Sequence, residues 1–215
     1  RDKIVVVKLE DSAVNEPGRR QTVMGDIALL SLVGIKLVLI HSCANNSNDT
    51  LNKVLVGQLC STGVKALGLN GADGEMINIR ESTAQFPGLA ADFKINSLPI
   101  FDVLEKGYIP VVSTVGYNGR GGVQEVDPYA AAARIAGALS AENLLLVTDA
   151  VGILRDKADS MSLISEMNVS EVPQLIKEGV ITGAMIPKAN CCLEAIRRGV
   201  KRVVIIDGRA PHSIL

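Results

Sequence analysis

Six short runs of apolar residues punctuate the chain: "KIVVVKL" (3–9), "KLVLIHS" (36–42), "VKALGL" (64–69), "YIPVVST" (108–114), "NLLLVTDA" (143–150) and "RVVIIDG" (202–208). Each is continuous in hydrophobicity instead of alternating with polar residues, which is the pattern of strands covered on both faces. Between them, apolar positions recur at helical spacing over 19–34, 98–106, 128–140, 170–178 and 183–199. Strands alternating with helices predict a mainly parallel sheet in an α/β chain. Ser97 followed by Leu98-Pro99 predicts an N-cap with proline in the first turn, and Gly107 and Gly199 fall where helix C-caps are expected. Two segments depart from this rhythm. "EMINIR" and "GLAADFKI", within 75–95, predict strands of an antiparallel excursion, and "GYNGRGGVQEV" (116–126) predicts a glycine-rich hairpin. A soft boundary near residue 140 divides the pattern into an N-terminal lobe (1–140) and a C-terminal lobe (141–215).

Composition narrows the functions this pattern can serve. The chain has 215 residues, 47% of them apolar and 21% charged, with a formal net charge of -1. That is enough chain for a substantial core, and so balanced a charge gives no electrostatic support for nucleic acid or an anionic membrane as partner. A small soluble ligand is expected instead. No apolar run is long enough to span a bilayer, and no charged and apolar leader opens the chain. The expected compartment is the cytoplasm, or an organelle matrix should a transit segment precede Arg1. Cys43, Cys60, Cys191 and Cys192 lack metal-ligand spacing and read as reduced, structural thiols, with no metal site expected.

The two commonest nucleotide loops, GxGxxG after the first strand and GxxxxGK[ST], are absent. Ligands of parallel sheets gather at the carboxyl ends of the strands. Those ends carry Lys8, His41-Ser42, Leu69-Asn70-Gly71, Ser113-Thr114, Thr148-Asp149 and Asp207-Gly208. Taken alone, Lys8 reads equally as a strand-edge lysine with its ammonium in water or as an anion ligand. "TDAVGIL" (148–154) is either a plain turn or a cradle for a ribose. Lys188, in "GAMIPKANCC", is either a solvated helix lysine or a phosphate ligand at the start of a helix.

Their order along the chain is more specific. The strand-end lysine, "SLVGIKLVLIHS", "LVGQL", "GYIPVVSTVG", "LSAENLLLVTDAVGIL" and "ITGAMIPKANCCLEAIRRGVKRVVIIDGRAPHSIL" together resemble the amino acid kinase family, and within it the members acting on N-acetyl-L-glutamate. The resemblance implies a three-layer α/β/α sandwich and transfer of the γ-phosphoryl group of ATP, carried with Mg²⁺, to the side-chain carboxylate of N-acetyl-L-glutamate in arginine biosynthesis. It implies that Lys8 and Lys188 clamp the moving phosphoryl group. It assigns nucleotide contacts to Thr148, Asp149, Gly152, Ile153, Leu154, Val180, Ile181 and Thr182, and substrate contacts to Cys43, Ala44, Glu125 and Asp127. A homo-oligomer, dimer or hexamer, is implied as well.

The resemblance also has gaps. Glu10 and Asp11 stand where the family has two glycines whose bare backbone approaches phosphate, a place where side chains are expected to obstruct. Ser42, Cys43 and Ala44 replace a run of three glycines, and an arginine-bearing stretch between Asn45 and Leu55 is missing. In "EVDPY" (125–129), Glu125 and Asp127 replace asparagines and Tyr129 replaces the aspartate that orients the two lysines. These departures leave a second expectation open: a catalytically silent kinase fold that binds a nucleotide or amino acid and regulates a partner. His212 reads as a surface histidine.

Overall fold

A computed structural model describes residues 3–42, 48–80 and 92–215. The apolar runs become β1 (Ile4–Leu9), β2 (Lys36–His41), β3 (Ala66–Asn70), β6 (Ile109–Ser113), β9 (Asn143–Thr148) and β10 (Arg202–Asp207). They form one six-stranded sheet in the order β10-β9-β1-β2-β6-β3, with every pairing parallel. The central strand, β1, is flanked on both sides and its Val5 to Leu9 are all buried, which is why its sequence does not alternate.

Successive residues of β1 nonetheless serve two different cores. Val5, Val7 and Leu9 face α1 (Asp11–Val14), α2 (Pro17–Leu32) and α3 (Asn48–Ser61), packing with Met24, Ile27, Leu55 and Leu59. Val6 faces α4 (Leu98–Glu105), α5 (Pro128–Ala138) and α7 (Met185–Arg197), packing with Ile100, Ile135 and Ala195. The result is the expected three-layer α/β/α sandwich. A third, small core joins α6 (Val172–Lys177) to the outer side of α7 through Val172, Leu175, Ile181, Ala189 and Leu193.

The excursion and the hairpin meet in a second sheet of four strands. β4 (Ile77–Ile79) pairs antiparallel with β5 (Phe93–Ile95) and parallel with β7 (Val115–Tyr117), and β7 pairs antiparallel with β8 (Val123–Glu125). The hairpin turn closes through Asn118, whose Oδ1 accepts from the N–H groups of Arg120 and Gly122.

Three local expectations need correction. Ser97 stands at the N-cap position of α4 but makes no side-chain cap bond, because its backbone is helical instead of extended and Pro99 offers no N–H; Asn96 Oδ1 accepts the Leu98 N–H at 3.2 Å. Helix α2 starts two residues early, since Glu16 accepts from the N–H groups of both Gly18 and Arg19 and so caps it ahead of Pro17. Helix α3 was not expected at all; its signal is the i, i+4, i+8 spacing of Leu51, Leu55 and Leu59, which point into the core. Gly107 and Gly199 do end their helices, at φ of 75° and 94°. His212 is exposed as expected, yet its Nδ1 pairs at 2.7 Å with the buried Asp26 and so ties the C-terminal turn to α2.

Candidate active site

Lys8 follows Val6 by two residues in an extended strand, so it leaves β1 on the face that carries α5 and α7. Lys188 lies in the first turns of α7. Residues from opposite ends of the sequence therefore meet: both lysines flank the ring of Tyr129 at the start of α5, Lys8 Nζ at 4.2 Å from the ring centroid and Lys188 Nζ at 5.9 Å. Both are buried, at 3% and 5% exposure. Burial is the largest influence on Lys8 and pulls its pKa below the ordinary lysine value of 10.5; the carboxylates of Glu10 and Asp11 oppose it and the Lys188 charge adds to it.

The expectation that Glu10 obstructs this place is where the structure adds most. Glu10 has the same two-residue spacing from Lys8 that Lys8 has from Val6, and its carboxylate pairs with Lys188 Nζ at 2.9 Å. The same oxygen accepts a hydrogen bond from the Tyr129 hydroxyl. Burial and the neighbouring Glu10 carboxylate raise the Tyr129 phenol well above its usual range, so it stays protonated and donates. Cys191, on α7, donates its thiol to the Tyr129 carbonyl oxygen at 3.2 Å and joins the two helices; its pKa is pushed well up by burial. Burial pushes Cys192 up to about 12, so both are thiols and neither is a nucleophile at neutral pH. Cys60, Cys191 and Cys192 are all free.

A cavity of about 400 Å³ opens beside Lys8, bordered by Glu10, Asp11, Ser42, Thr114, Glu125 and Tyr129. Asp11 does not point freely into it, because its Oδ1 accepts the Ser42 hydroxyl. Glu125, at the end of β8, borders the cavity, whereas Asp127 does not: Asp127 caps α5, its Oδ1 accepting the Ala130 N–H at 2.7 Å. Cys43 and Ala44 lie outside the described residues.

His41 leaves β2 toward the other face. Its Nδ1 lies 2.9 Å from the Ser42 carbonyl oxygen, which can only accept, so Nδ1 carries the proton and Nε2 accepts from Asn52 Nδ2 at 3.0 Å. Asn52 also donates to the Val111 carbonyl oxygen at 2.9 Å. Burial lowers the His41 pKa, and with both nitrogens satisfied the ring is a neutral fixture of the core.

The residues expected at the nucleotide lie around the far end of β9. Thr148 is buried and its hydroxyl accepts the Ala150 N–H at 2.8 Å, turning the chain outward, while Asp149 is exposed. Gly152 and Ile153 border a larger cavity, about 620 Å³, between the 163–169 segment, α7 and β10. Leu154 bridges to Leu163, Ile181 is fully buried in the small core, and Val180 packs against that core. Thr182 accepts a hydrogen bond from Lys157, a residue the sequence gave no means of selecting. At the adjacent end of β10, Asp207 holds Arg209 through two hydrogen bonds of 2.8 Å, and that guanidinium keeps the Asp207 carboxyl below its usual range.

Comparison with known proteins agrees with this architecture. The family model described as "Amino acid kinase family" matches residues 50–207. An acetylglutamate kinase of Brachyspira hyodysenteriae is 35% identical over 247 aligned positions, covering 99% of this chain and 86% of that protein. One from Moorella thermoacetica is 36% identical, covering 99% and 86%. Both alignments are longer than the 215 residues of the chain, so these relatives carry segments that it lacks. In fold, a carbamate kinase from Giardia lamblia bound to AMP-PNP superposes with a TM-score of 0.72 at 15% identity, covering 98% of this chain and 94% of the other. A six-stranded parallel sheet between helical layers, two buried lysines converging from β1 and α7, and full-length similarity of this degree lead to one assignment: the chain belongs to the amino acid kinase family.

Proposed function

We propose that the chain is an acetylglutamate kinase, transferring the γ-phosphoryl group of ATP to the side-chain carboxylate of N-acetyl-L-glutamate in arginine biosynthesis. The single observation that carries this reading is the convergence of Lys8 and Lys188 on Tyr129 beside a cavity bordered by polar side chains; its context is full-length similarity to proteins of that name. A carboxylate oxygen of the acceptor attacks the γ-phosphorus, the bond from that phosphorus to the β–γ bridging oxygen breaks, and ADP leaves. The acceptor is already ionised, so no base is needed. The protein contributes position and charge. Lys8 and Lys188 offset the charge gathering on the transferring group, and the acceptor occupies the cavity beside Lys8, with Glu125 and Ser42 at its walls. The nucleotide lies against 148–154 and 180–182 in a C-terminal lobe (141–215), and Mg²⁺ would enter with ATP and offset phosphate charge. The working form is a homo-oligomer in the cytoplasm or an organelle matrix.

The acceptor side is unusually acidic. A carboxylate about 5 Å from a phosphate charge opposes it by about 3 kcal/mol at an effective dielectric near 20. That favours one second reading, a nucleotide- or amino-acid-binding regulator without turnover, because Glu10 already occupies Lys188. The two readings part in a hydroxylamine trap. With ATP, Mg²⁺ and N-acetyl-L-glutamate the kinase forms the acyl hydroxamate well above a Lys8→Ala control. Nucleotide binding by calorimetry with hydroxamate no higher than that control overturns the kinase reading.

A further inference from the structure

Glu10 occupies the N-cap position of α1 but makes no cap bond with its side chain. Its carboxylate turns instead toward α5 and α7, where it meets Lys188 and the Tyr129 hydroxyl. This contact has a clear physical cause. Two ammonium groups buried on one aromatic ring repel each other and are poorly hydrated, so without an anion one of them loses its proton or swings out to water. Among the described residues, Glu10 is the carboxylate that forms an ion pair with either lysine. Lys8 it reaches indirectly: the ring whose hydroxyl Glu10 holds is the ring under the Lys8 ammonium. The groups that act on Lys8 are Glu10, Asp11, Cys191 and Lys188, and of these Glu10 alone touches the second lysine and the ring together.

We infer that Glu10 and Tyr129 are positioning residues for the lysine pair, Glu10 being its resident counter-ion and Tyr129 the spacer through which one carboxylate governs both ammonium groups. The inference rests on the reading of Lys8 and Lys188 as the phosphoryl-binding pair. It gives the acid at residue 10 a use in place of an obstruction. The negative charge is supplied from the end of β1, by a side chain long enough to reach α7.

The test uses the full chain with Glu10→Gln, Tyr129→Phe, Glu10→Gly and the double variant Glu10→Gly/Tyr129→Asp, which moves the carboxylate from residue 10 to residue 129. Two readouts are taken: hydroxamate kinetics with a pH profile, and the rate at which acetic anhydride labels Lys8 and Lys188, read by mass spectrometry. Glu10→Gln lowers kcat about tenfold with KM for ATP changed less than about threefold, and moves the alkaline limb to lower pH. It also makes Lys188 about fivefold faster to label, because its Nζ is no longer held in the 2.9 Å ion pair with Glu10. The double variant recovers at least about fivefold of what Glu10→Gly alone loses, which a merely structural role for Glu10 does not allow. A rise in kcat or in nucleotide affinity on removing the carboxylate overturns the inference, since Glu10 is then a plug. Unchanged labelling of Lys188 in Glu10→Gln overturns it too. Should the unmodified chain show no turnover, the kinase reading fails while the labelling arm still decides this one.

Discussion

The two ends of the proposed reaction path are built by different means. The side proposed for the nucleotide is shaped by apolar chain: β9 ends in a turn held by Thr148, and the 180–182 segment is anchored by Ile181 in a small core of its own. The side proposed for the acceptor is shaped by charge, with Lys8, Glu10, Asp11, Glu125 and Tyr129 drawn around one cavity and Lys188 paired to Glu10. The contrast teaches that substitutions should fail differently on each side: on the apolar side by loss of packing, with nucleotide affinity following stability, and on the charged side by loss of rate.

The sharpest break in that comparison is Lys188→Met. Removing a charge-assisted contact to the phosphoryl group costs roughly 1.5–3 kcal/mol, so kcat falls about ten- to a hundredfold. Glu10 loses its ion pair but is partly exposed and keeps the Tyr129 hydroxyl, so stability falls by less than in a core truncation, a change thermal unfolding registers as about 2–4 °C in Tm per kcal/mol for a chain of this size. Next in size is Ile181→Ala. Cutting a fully buried side chain back to its methyl destabilises by about 2–5 kcal/mol, and KM for ATP rises while kcat at saturating ATP stays within about threefold. The smallest effect belongs to Asp127→Ala, which removes the α5 cap for about 1 kcal/mol. In steady-state assays it leaves KM for N-acetyl-L-glutamate nearly unchanged, whereas Glu125→Gln, on the cavity wall, shifts it. Should Asp127→Ala raise that KM as much as Glu125→Gln does, its side chain serves the acceptor and not only the helix.

The same contrast explains what could be read without coordinates. Strands buried on both faces write themselves as runs of valine, isoleucine and leucine, so the sheet, and with it the places of Lys8 and Thr148, were legible. Helix α3 was missed because three leucines four apart make a narrow stripe in a stretch otherwise rich in polar residues. Asn52 was missed with it, and so was the reason His41 is inert. Glu10 illustrates a different loss. Its charge was legible and its direction could have been read from its two-residue spacing from Lys8, but its partner stands 178 positions away on α7, a distance that only the fold closes. Lys157 on Thr182 carried no signal of any kind, being an exposed lysine in a loop.

The stability of the site also has a pH signature. The Lys8 pKa is lower in the folded chain than in the unfolded one, so between the two values the unfolded chain binds more protons and folding stability rises with pH. Activity that needs the charged ammonium falls over that same window, below the pH at which an ordinary lysine would lose its proton.

The central claim is that a phosphoryl group is held between Lys8 and Lys188 while Glu10 stays on its lysine. A crystal structure of the full chain with ADP, Mg²⁺, aluminium fluoride and N-acetyl-L-glutamate tests it most directly. Fluoride density is expected in contact with both ammonium groups, with the Glu10 carboxylate still bonded to Lys188 and Tyr129. Nucleotide phosphates that stop short of Lys8, or a Glu10 side chain expelled from Lys188 when the fluoride enters, would contradict it.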